Sequence, residues 1–156
     1  MKPQLHEIDF NINQIEPITT SKVPPWMIQT PSIIFNLTQN KKSQTSPELY
    51  KSKYNEIADQ YKNYAHIFTD GSKVGDKVAC AAICEDRTAK SRLPNKASIF
   101  SAELKAVELS LQIIETDKRK KFVIFTDSKS VLQALLQSQP QNPKVGRILH
   151  KLNKIT

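Results

Sequence analysis

A near-repeat of seven residues constrains this chain more than any other feature of its sequence: positions 67–73 read IFTDGSK and positions 124–130 read IFTDSKS. In each copy a β-branched and aromatic run, the composition of a buried strand, ends at an aspartate that is followed by small polar residues. Two strands are therefore predicted to end at Asp70 and Asp127. Between them, a helical pattern at 101–109 carries Glu103 in its predicted first turn.

The surrounding pattern predicts an α/β fold with a mixed sheet. Strand patterns lie at residues 64–69, 77–84, 88–93 and 122–126. Helical patterns run from Ser98 or Ser101 to about Asp117, from Ser128 to about Ser138, and over about 144–155. Gly71 and Gly75 provide turn residues, so the first three strands should form an antiparallel meander. The long helix then makes a right-handed crossover, which sets the fourth strand parallel to the first.

Length and composition predict one domain with an N-terminal arm. The 156 residues carry a net charge of +8 and a pI near 9.5, which favours a polyanionic partner such as nucleic acid. Residues 1–45 contain several prolines and no sustained period, as expected for a linker or arm. Residues 46–63 begin with Ser46 and Pro47, the signature of a helix start, and 64–156 form the predicted domain.

Two further features of the sequence bear on partners and on compartment. Trp26 and the apolar run 33–35 are either an anchor for a partner or a segment that packs onto the domain that follows. The absence of a long apolar run or a secretory leader predicts an intracellular protein without membrane contact. Cys80 and Cys84 lie on one predicted strand, roughly 13 Å apart at ~3.3 Å per residue, so buried reduced thiols are expected rather than a disulfide.

The three acidic residues follow one another along the chain at the end of a strand, the start of a helix and the end of a second strand. This arrangement predicts that they act together. Taken singly, Asp70 could serve a turn, Asp127 could cap a helix and Glu103 could complement a helix dipole. If the parallel strands are neighbours, however, the two aspartates lie ~4.8 Å apart at the carboxyl edge of the sheet, where α/β folds bind ligands. Carboxylates held so close require a hard cation such as Mg²⁺, and a pair of such ions is the device that cleaves phosphodiesters.

Three blocks of the sequence resemble the first catalytic blocks of type 1 ribonuclease H. They are 69–72 (TDGS), 101–106 (SAELKA) and 125–128 (FTDS), and their wording is closest to the ribonuclease H region of non-LTR retrotransposon reverse transcriptases. The resemblance spans about 64–156 and implies a three-layer fold with helices on both faces of the sheet. It also implies a reverse transcriptase domain as a partner in the parent polyprotein.

By this resemblance Asp70, Glu103 and Asp127 are the catalytic metal ligands. The implied cofactor is Mg²⁺ at a two-metal site, with Mn²⁺ as a substitute, and the implied reaction is endonucleolytic hydrolysis of the RNA strand of an RNA–DNA hybrid. The products would carry 5′-phosphate and 3′-hydroxyl ends. The predicted substrate-binding residues flank the two aspartates: Gly71, Ser72, Lys73, Ser128 and Lys129.

The sequence departs from the family pattern after about Ile155. The family continues into a fifth strand, a loop with a catalytic histidine and a final helix with a fourth carboxylate, so the fold is expected with its last strand and helix missing. An open sheet edge, an uncovered face and weaker catalysis follow. The alternative function is a catalytically weak or dead nucleic-acid-binding remnant. A third possible function is a metal-dependent phosphatase with an aspartate nucleophile. Such an enzyme requires a second aspartate two residues after the nucleophile, and Ser72 and Lys129 occupy those positions, which argues against it.

A basic stripe on the last predicted helix has two interpretations. Its members are Lys144, Arg147, Lys151 and Lys154. They either contact a phosphate backbone or form a solvated face.

Overall fold

The computed structural model describes residues 30–38, 46–85, 87–137 and 139–155. A short 3₁₀ helix (Asn36–Thr38) precedes the main elements. These are, in chain order, α1 (Pro47–Gln60), β1 (Ala65–Val74), β2 (Lys77–Cys84), β3 (Arg87–Leu93), α2 (Ile99–Glu115), β4 (Phe122–Thr126), α3 (Lys129–Leu135) and α4 (Pro143–Ile155).

The four strands form one mixed sheet in the order β3-β2-β1-β4. β1 pairs antiparallel with β2, and β2 pairs antiparallel with β3, which gives the predicted meander. The chain then crosses over through α2 and returns as β4, which pairs parallel with β1 from Ala65↔Phe122 to Thr69↔Thr126. The predicted mixed α/β sheet is confirmed.

β1 is longer than the sequence predicts. The strand was expected to end at Thr69, with Gly71 in the turn, but it continues to Val74 and its hairpin turn holds Gly75, whose φ is +57°. The prediction failed because β1 has two partners of unequal length: β4 stops pairing at Thr69, whereas β2 keeps pairing as far as Val74. Asp70 therefore lies inside β1, at the point where parallel pairing ends.

Helices cover both faces of the sheet, as predicted. On one face α2 packs against the strands and forms a core with Ala65, Ile67, Val78, Cys80, Ala82, Ala102, Ala106, Leu109 and Ile113. On the opposite face the ring of Tyr54 from α1 contacts Phe68 and Phe125, at centroid distances of 6.3 and 5.4 Å. This second face is only partly covered, because Phe68 and Ile83 are 43% and 44% exposed.

A second core lies on the far side of α2. There α2 packs against α3 and α4 through Leu104, Val107, Leu111, Val131, Leu135, Val145, Ile148 and Leu149. Ile33 packs against the same cluster, as one of the two interpretations of run 33–35 expected. Trp26 falls outside the described residues.

The start of α2 differs from the prediction for Glu103. Ser98 rather than Ser101 caps the helix, since the Ser98 hydroxyl accepts a hydrogen bond from the backbone N–H of Ser101 at 3.1 Å. The helix therefore begins at Ile99, and Glu103 is its fifth residue. The expectation that Glu103 lies in the first turn is wrong by about one residue, because two serines were equally suited to the cap.

The smaller helices follow their sequence signals in part. Ser46 caps α1 by accepting from the Leu49 N–H at 3.3 Å, with Pro47 at the first helical position. α3 ends at Leu135 rather than near Ser138, and the Gln137 N–H bonds the Ala134 carbonyl at 3.2 Å in the turn that follows. The proposed division at residues 45 and 63 stays a prediction.

Cys80 and Cys84 are free and buried on β2, as the sequence predicts. Within the described ranges, no helix combines the length and the hydrophobicity needed to cross a membrane.

Candidate metal centre

Three carboxylates converge at the edge of the sheet. Asp70, Glu103 and Asp127 each offer an oxygen atom, and these atoms all lie within 4.8 Å of one another. Glu103 is buried at 8% exposure, whereas both aspartates are exposed. One acid is thus held within the protein, and the other two are open to a ligand from solvent.

The parallel register of β1 and β4 brings the two aspartates together. Thr69 and Thr126 form the last paired position, and the next residue of each strand is the aspartate. The Thr69 hydroxyl donates to the Phe125 carbonyl at 3.2 Å, which links the two strands at this position. Because the two strands run in the same direction, the residues that follow the last pair, Asp70 and Asp127, lie side by side where the parallel pairing ends.

Gly71 brings the third carboxylate to the other two. A Cβ atom built on Gly71 would lie 2.7 Å from the Glu103 backbone nitrogen and 2.8 Å from the Glu103 Cδ, closer than real Cβ atoms approach. Only glycine therefore allows α2 to lie this near to β1. The prediction that Gly71 is a turn residue is wrong, although a glycine inside a strand pattern can signal a close approach of two backbone segments.

Lys73 links the β1–β2 hairpin to the start of α2. Its ammonium group donates to the Ala97 carbonyl at 3.0 Å, and the next residue, Ser98, is the N-cap of α2. Lys73 thereby supports the start of α2, the helix that carries Glu103. Its predicted contact with substrate phosphate stays a prediction.

The other predicted substrate-binding residues flank the aspartates. Ser72 follows on the exposed part of β1, and Lys129 is the exposed first residue of α3. The backbone N–H of Ser128 donates to the Thr126 hydroxyl at 3.3 Å. Ser128 is the N-cap residue of α3, but among the described residues its side chain makes no capping bond to the helix, and its hydroxyl lies 3.2 Å from the Ser130 hydroxyl.

The donor set fits a hard divalent cation. Three carboxylates this close repel one another unless positive charge lies between them. Carboxylate oxygens are the ligands that Mg²⁺ and Mn²⁺ prefer. The site can therefore hold such an ion through Asp70, Glu103 and Asp127.

Fold and site together define a class of protein: a mixed α/β sheet with helices on both faces and a carboxylate site for divalent metal at the edge where parallel strands end. The family model for RNase H matches residues 62–154, which is more than half of the chain. The chain belongs to the RNase H family, and the predicted ribonuclease H domain is confirmed. Family membership supports hydrolysis of RNA–DNA hybrids and use of divalent metal in general terms. No curated protein matches the chain.

Proposed function

We propose that this chain cleaves the RNA strand of an RNA–DNA hybrid endonucleolytically, using Mg²⁺, or Mn²⁺ in its place, held by Asp70, Glu103 and Asp127. The observation that carries the proposal is the convergence of the three acids within 4.8 Å, on a domain that matches the RNase H family. The products would be 5′-phosphate and 3′-hydroxyl ends.

The three carboxylates differ in exposure, and we assign them different roles on that basis. Buried Glu103 is fixed by α2 and by its contact with Gly71, so it holds its oxygen in place before substrate arrives. Asp70 and Asp127 are exposed, which leaves room for a phosphodiester to approach. A bound divalent cation would supply activation of water and stabilisation of the leaving oxygen. Ser72 and Lys129, beside the aspartates, are proposed to orient the phosphate.

We further propose the setting in which this domain works. The amino-acid sequences of the three catalytic blocks, 69–72, 101–106 and 125–128, support an origin in a retroelement polyprotein, with a reverse transcriptase domain as partner and an intracellular location. In that setting, residues 1–45 would join the domain to its neighbour.

Cleavage of an RNA–DNA hybrid tests the activity. Wild type is expected to cut the RNA strand in Mg²⁺, whereas Asp70→Asn and Asp127→Asn should each lose at least about a hundredfold in rate, because each removes a metal ligand. Asp59→Asn, which alters an exposed acid at the end of α1, is the matched control and should cleave like wild type.

Two outcomes would contradict the proposal. Equal cleavage by wild type and both active-site variants would separate activity from the three carboxylates. Salt-sensitive binding of the hybrid without product at any metal concentration would instead identify a binding remnant.

A further inference from the structure

A threonine stands directly before each aspartate of the near-repeat, and the proposed reaction gives neither threonine a role. They are Thr69 before Asp70 and Thr126 before Asp127. In the structure the two threonines form the last pair of the parallel ladder between β1 and β4. Because paired residues of parallel strands point to the same face of a sheet, both threonine side chains share one face.

Thr69 keeps a hydroxyl group at a core position. It is 7% exposed and continues the alternation of Ala65 and Ile67, which belong to the core beneath α2. Valine has nearly the same shape and suits a buried strand position, so packing alone does not require the hydroxyl. The Thr69 hydroxyl donates to the Phe125 carbonyl at 3.2 Å. It therefore adds a bond between β1 and β4 that valine could not make.

The Thr126 hydroxyl ties the end of β4 to the start of α3. It accepts a hydrogen bond from the backbone N–H of Ser128 at 3.3 Å. Ser128 is the N-cap residue of α3, and among the described residues its own side chain makes no capping bond to that helix. The turn from strand to helix is thus held by the threonine that ends the strand.

These two hydrogen bonds lie on either side of Asp127 along the chain. The Phe125 carbonyl belongs to the residue two positions before Asp127, and the Ser128 N–H to the residue after it. The backbone sets the direction in which the Cα–Cβ bond of a residue points. Holding the backbone at both places therefore fixes the direction of the Asp127 side chain.

Asp127 is the ligand of the metal centre that most needs such support. Glu103 is buried within α2, and Asp70 pairs with β2 inside the sheet. Asp127 is exposed, follows the last pair of the parallel ladder and precedes the first residue of α3. It lies between two regular elements, so the two hydroxyl bonds hold its backbone where ladder and helix do not extend.

We propose that Thr69 and Thr126 are positioning residues of the metal centre, whose hydroxyls hold the backbone around Asp127 so that its carboxylate meets a divalent cation together with Asp70 and Glu103. The inference deepens the proposed function and rests on it for the link to cleavage. Each threonine acts through Asp127 and needs no contact with metal or hybrid. Thr69 thereby serves the aspartate of the neighbouring strand.

Calorimetric titration with Mn²⁺ tests the positioning role without cleavage. Thr69→Val and Thr126→Val remove one hydroxyl each and should each weaken Mn²⁺ binding by at least about fivefold. The reason is that a site whose ligand is correctly placed for only part of the time binds in proportion to that fraction. Thr69→Ser and Thr126→Ser keep the hydroxyl and should bind Mn²⁺ within about twofold of wild type.

Thr116→Val is the matched control. The Thr116 hydroxyl also donates to a backbone carbonyl, that of Ile113 at 3.1 Å, at the far end of α2. It lies about 20 Å from Glu103 along the helix axis at 1.5 Å per residue. Thr116→Val should therefore bind Mn²⁺ like wild type, although it loses a comparable hydrogen bond.

Hybrid cleavage adds a readout that a purely structural role would not move. The valine variants should lose at least about tenfold in kcat with KM for the hybrid unchanged, because a misplaced ligand impairs the reacting geometry and not substrate binding. Raising the Mg²⁺ concentration should restore part of the rate, since mass action refills a weakened site.

The outcomes separate the positioning role from the proposed activity. If the valine variants unfold at lower temperature but bind Mn²⁺ like wild type, the threonines are structural and the inference is overturned. Serine variants that bind as weakly as the valine variants would also overturn it, because the hydroxyl would not be the cause. If wild type and the serine variants bind Mn²⁺ but never cleave, the activity fails and the positioning role stands. Should Thr69→Val fail to fold, the valine and serine variants of half-buried Thr126 give the same comparison.

Discussion

Gly71 and Glu103 meet without room for a side chain between them: a Cβ on Gly71 would stand 2.7 Å from the Glu103 backbone nitrogen. Gly71 lies in β1, where it pairs with Cys80 of β2, and Glu103 lies in α2. This contact therefore sets the distance between the sheet and the helix at the place where the three carboxylates meet. The relationship makes a backbone position as important to the site as the carboxylates.

Gly71→Ala should damage both stability and cleavage. The added methyl must displace backbone and the Glu103 carboxylate, which costs about 1 to 3 kcal/mol of unfolding free energy. Urea unfolding and hybrid cleavage in Mg²⁺ measure the two effects. Gly146→Ala is the matched control, since its Cβ would lie 3.8 Å from Pro140 Cγ and α4 should gain about 0.5 to 1 kcal/mol. A Gly71→Ala protein as stable and active as wild type would refute the spacing argument.

Metal should stabilise the folded protein through the three acids. An ion that binds only the folded state raises the unfolding free energy by about 2.7 kcal/mol at one hundred times its dissociation constant. Thermal unfolding in chelator and in Mg²⁺ or Mn²⁺ should show this rise for wild type.

Asp127→Asn should respond to metal differently from wild type, because it removes one of the three carboxylates of the candidate metal site. Asp127→Asn should lose the gain from metal, yet in chelator it should be at least as stable as wild type, because one of three crowded charges is gone. An equal rise in unfolding temperature for Asp127→Asn and wild type would place the ion elsewhere.

Glu108 should give the protein a stability that depends on pH. Burial raises the pKa of Glu108, but the hydrogen bonds and charges of Lys105 and Lys151 outweigh burial and hold the folded pKa below its ordinary value. Its contribution to stability is therefore present above the unfolded value near 4.5 and is lost as pH falls through the folded value. The unfolding free energy of Glu108→Gln should therefore fall below that of wild type by about 1 kcal/mol at neutral pH, and the gap should close in acid. Glu56→Gln, at an exposed position on α1, serves as the control. A gap that persists unchanged well below pH 4.5 would contradict the assignment.

Lys73→Met should separate support of α2 from contact with substrate. Loss of the bond to the Ala97 carbonyl should cost about 1 kcal/mol or less, since the bond is exposed. If Lys73 also touches phosphate, KM for the hybrid should rise while Lys77→Met, on the exposed start of β2, leaves it unchanged. A KM equal to that of wild type would remove Lys73 from the substrate-binding set.

Local sequence patterns predict most of this fold because they reflect local burial. The bounds of β2 and β4 match the prediction, since both strands are dense in apolar residues and are bounded by polar ones. The sequence could not predict the extension of β1, because residues 72–74 are exposed and become strand only through their pairing with β2. Likewise, Ser98 and Ser101 both offer caps, and only the packing of α2 decides between them.

Part of the candidate site could likewise be predicted from short sequence motifs, and part could not. The three acids follow from short motifs whose order along the chain implies their meeting, and the structure brings them within 4.8 Å. A cleft between the end of β3, α2 and the start of α4, lined by Arg92, Lys105 and Lys144 among others, could not be predicted, since its walls come from segments far apart in sequence. Its one local trace was the spacing of Lys105 and Glu108, which suits an ion pair one turn apart on a helix.

The register that pairs Thr69 with Thr126 can be monitored through metal binding, because it positions Asp127 beside Asp70. Side chains alternate between the two faces of a strand, so a slip of β4 by a single position would turn Asp127 away from its companions. Affinity for the ion should then vanish while helix content and overall dimensions barely change. A substitution that shifted this register would therefore be detected as a loss of metal binding.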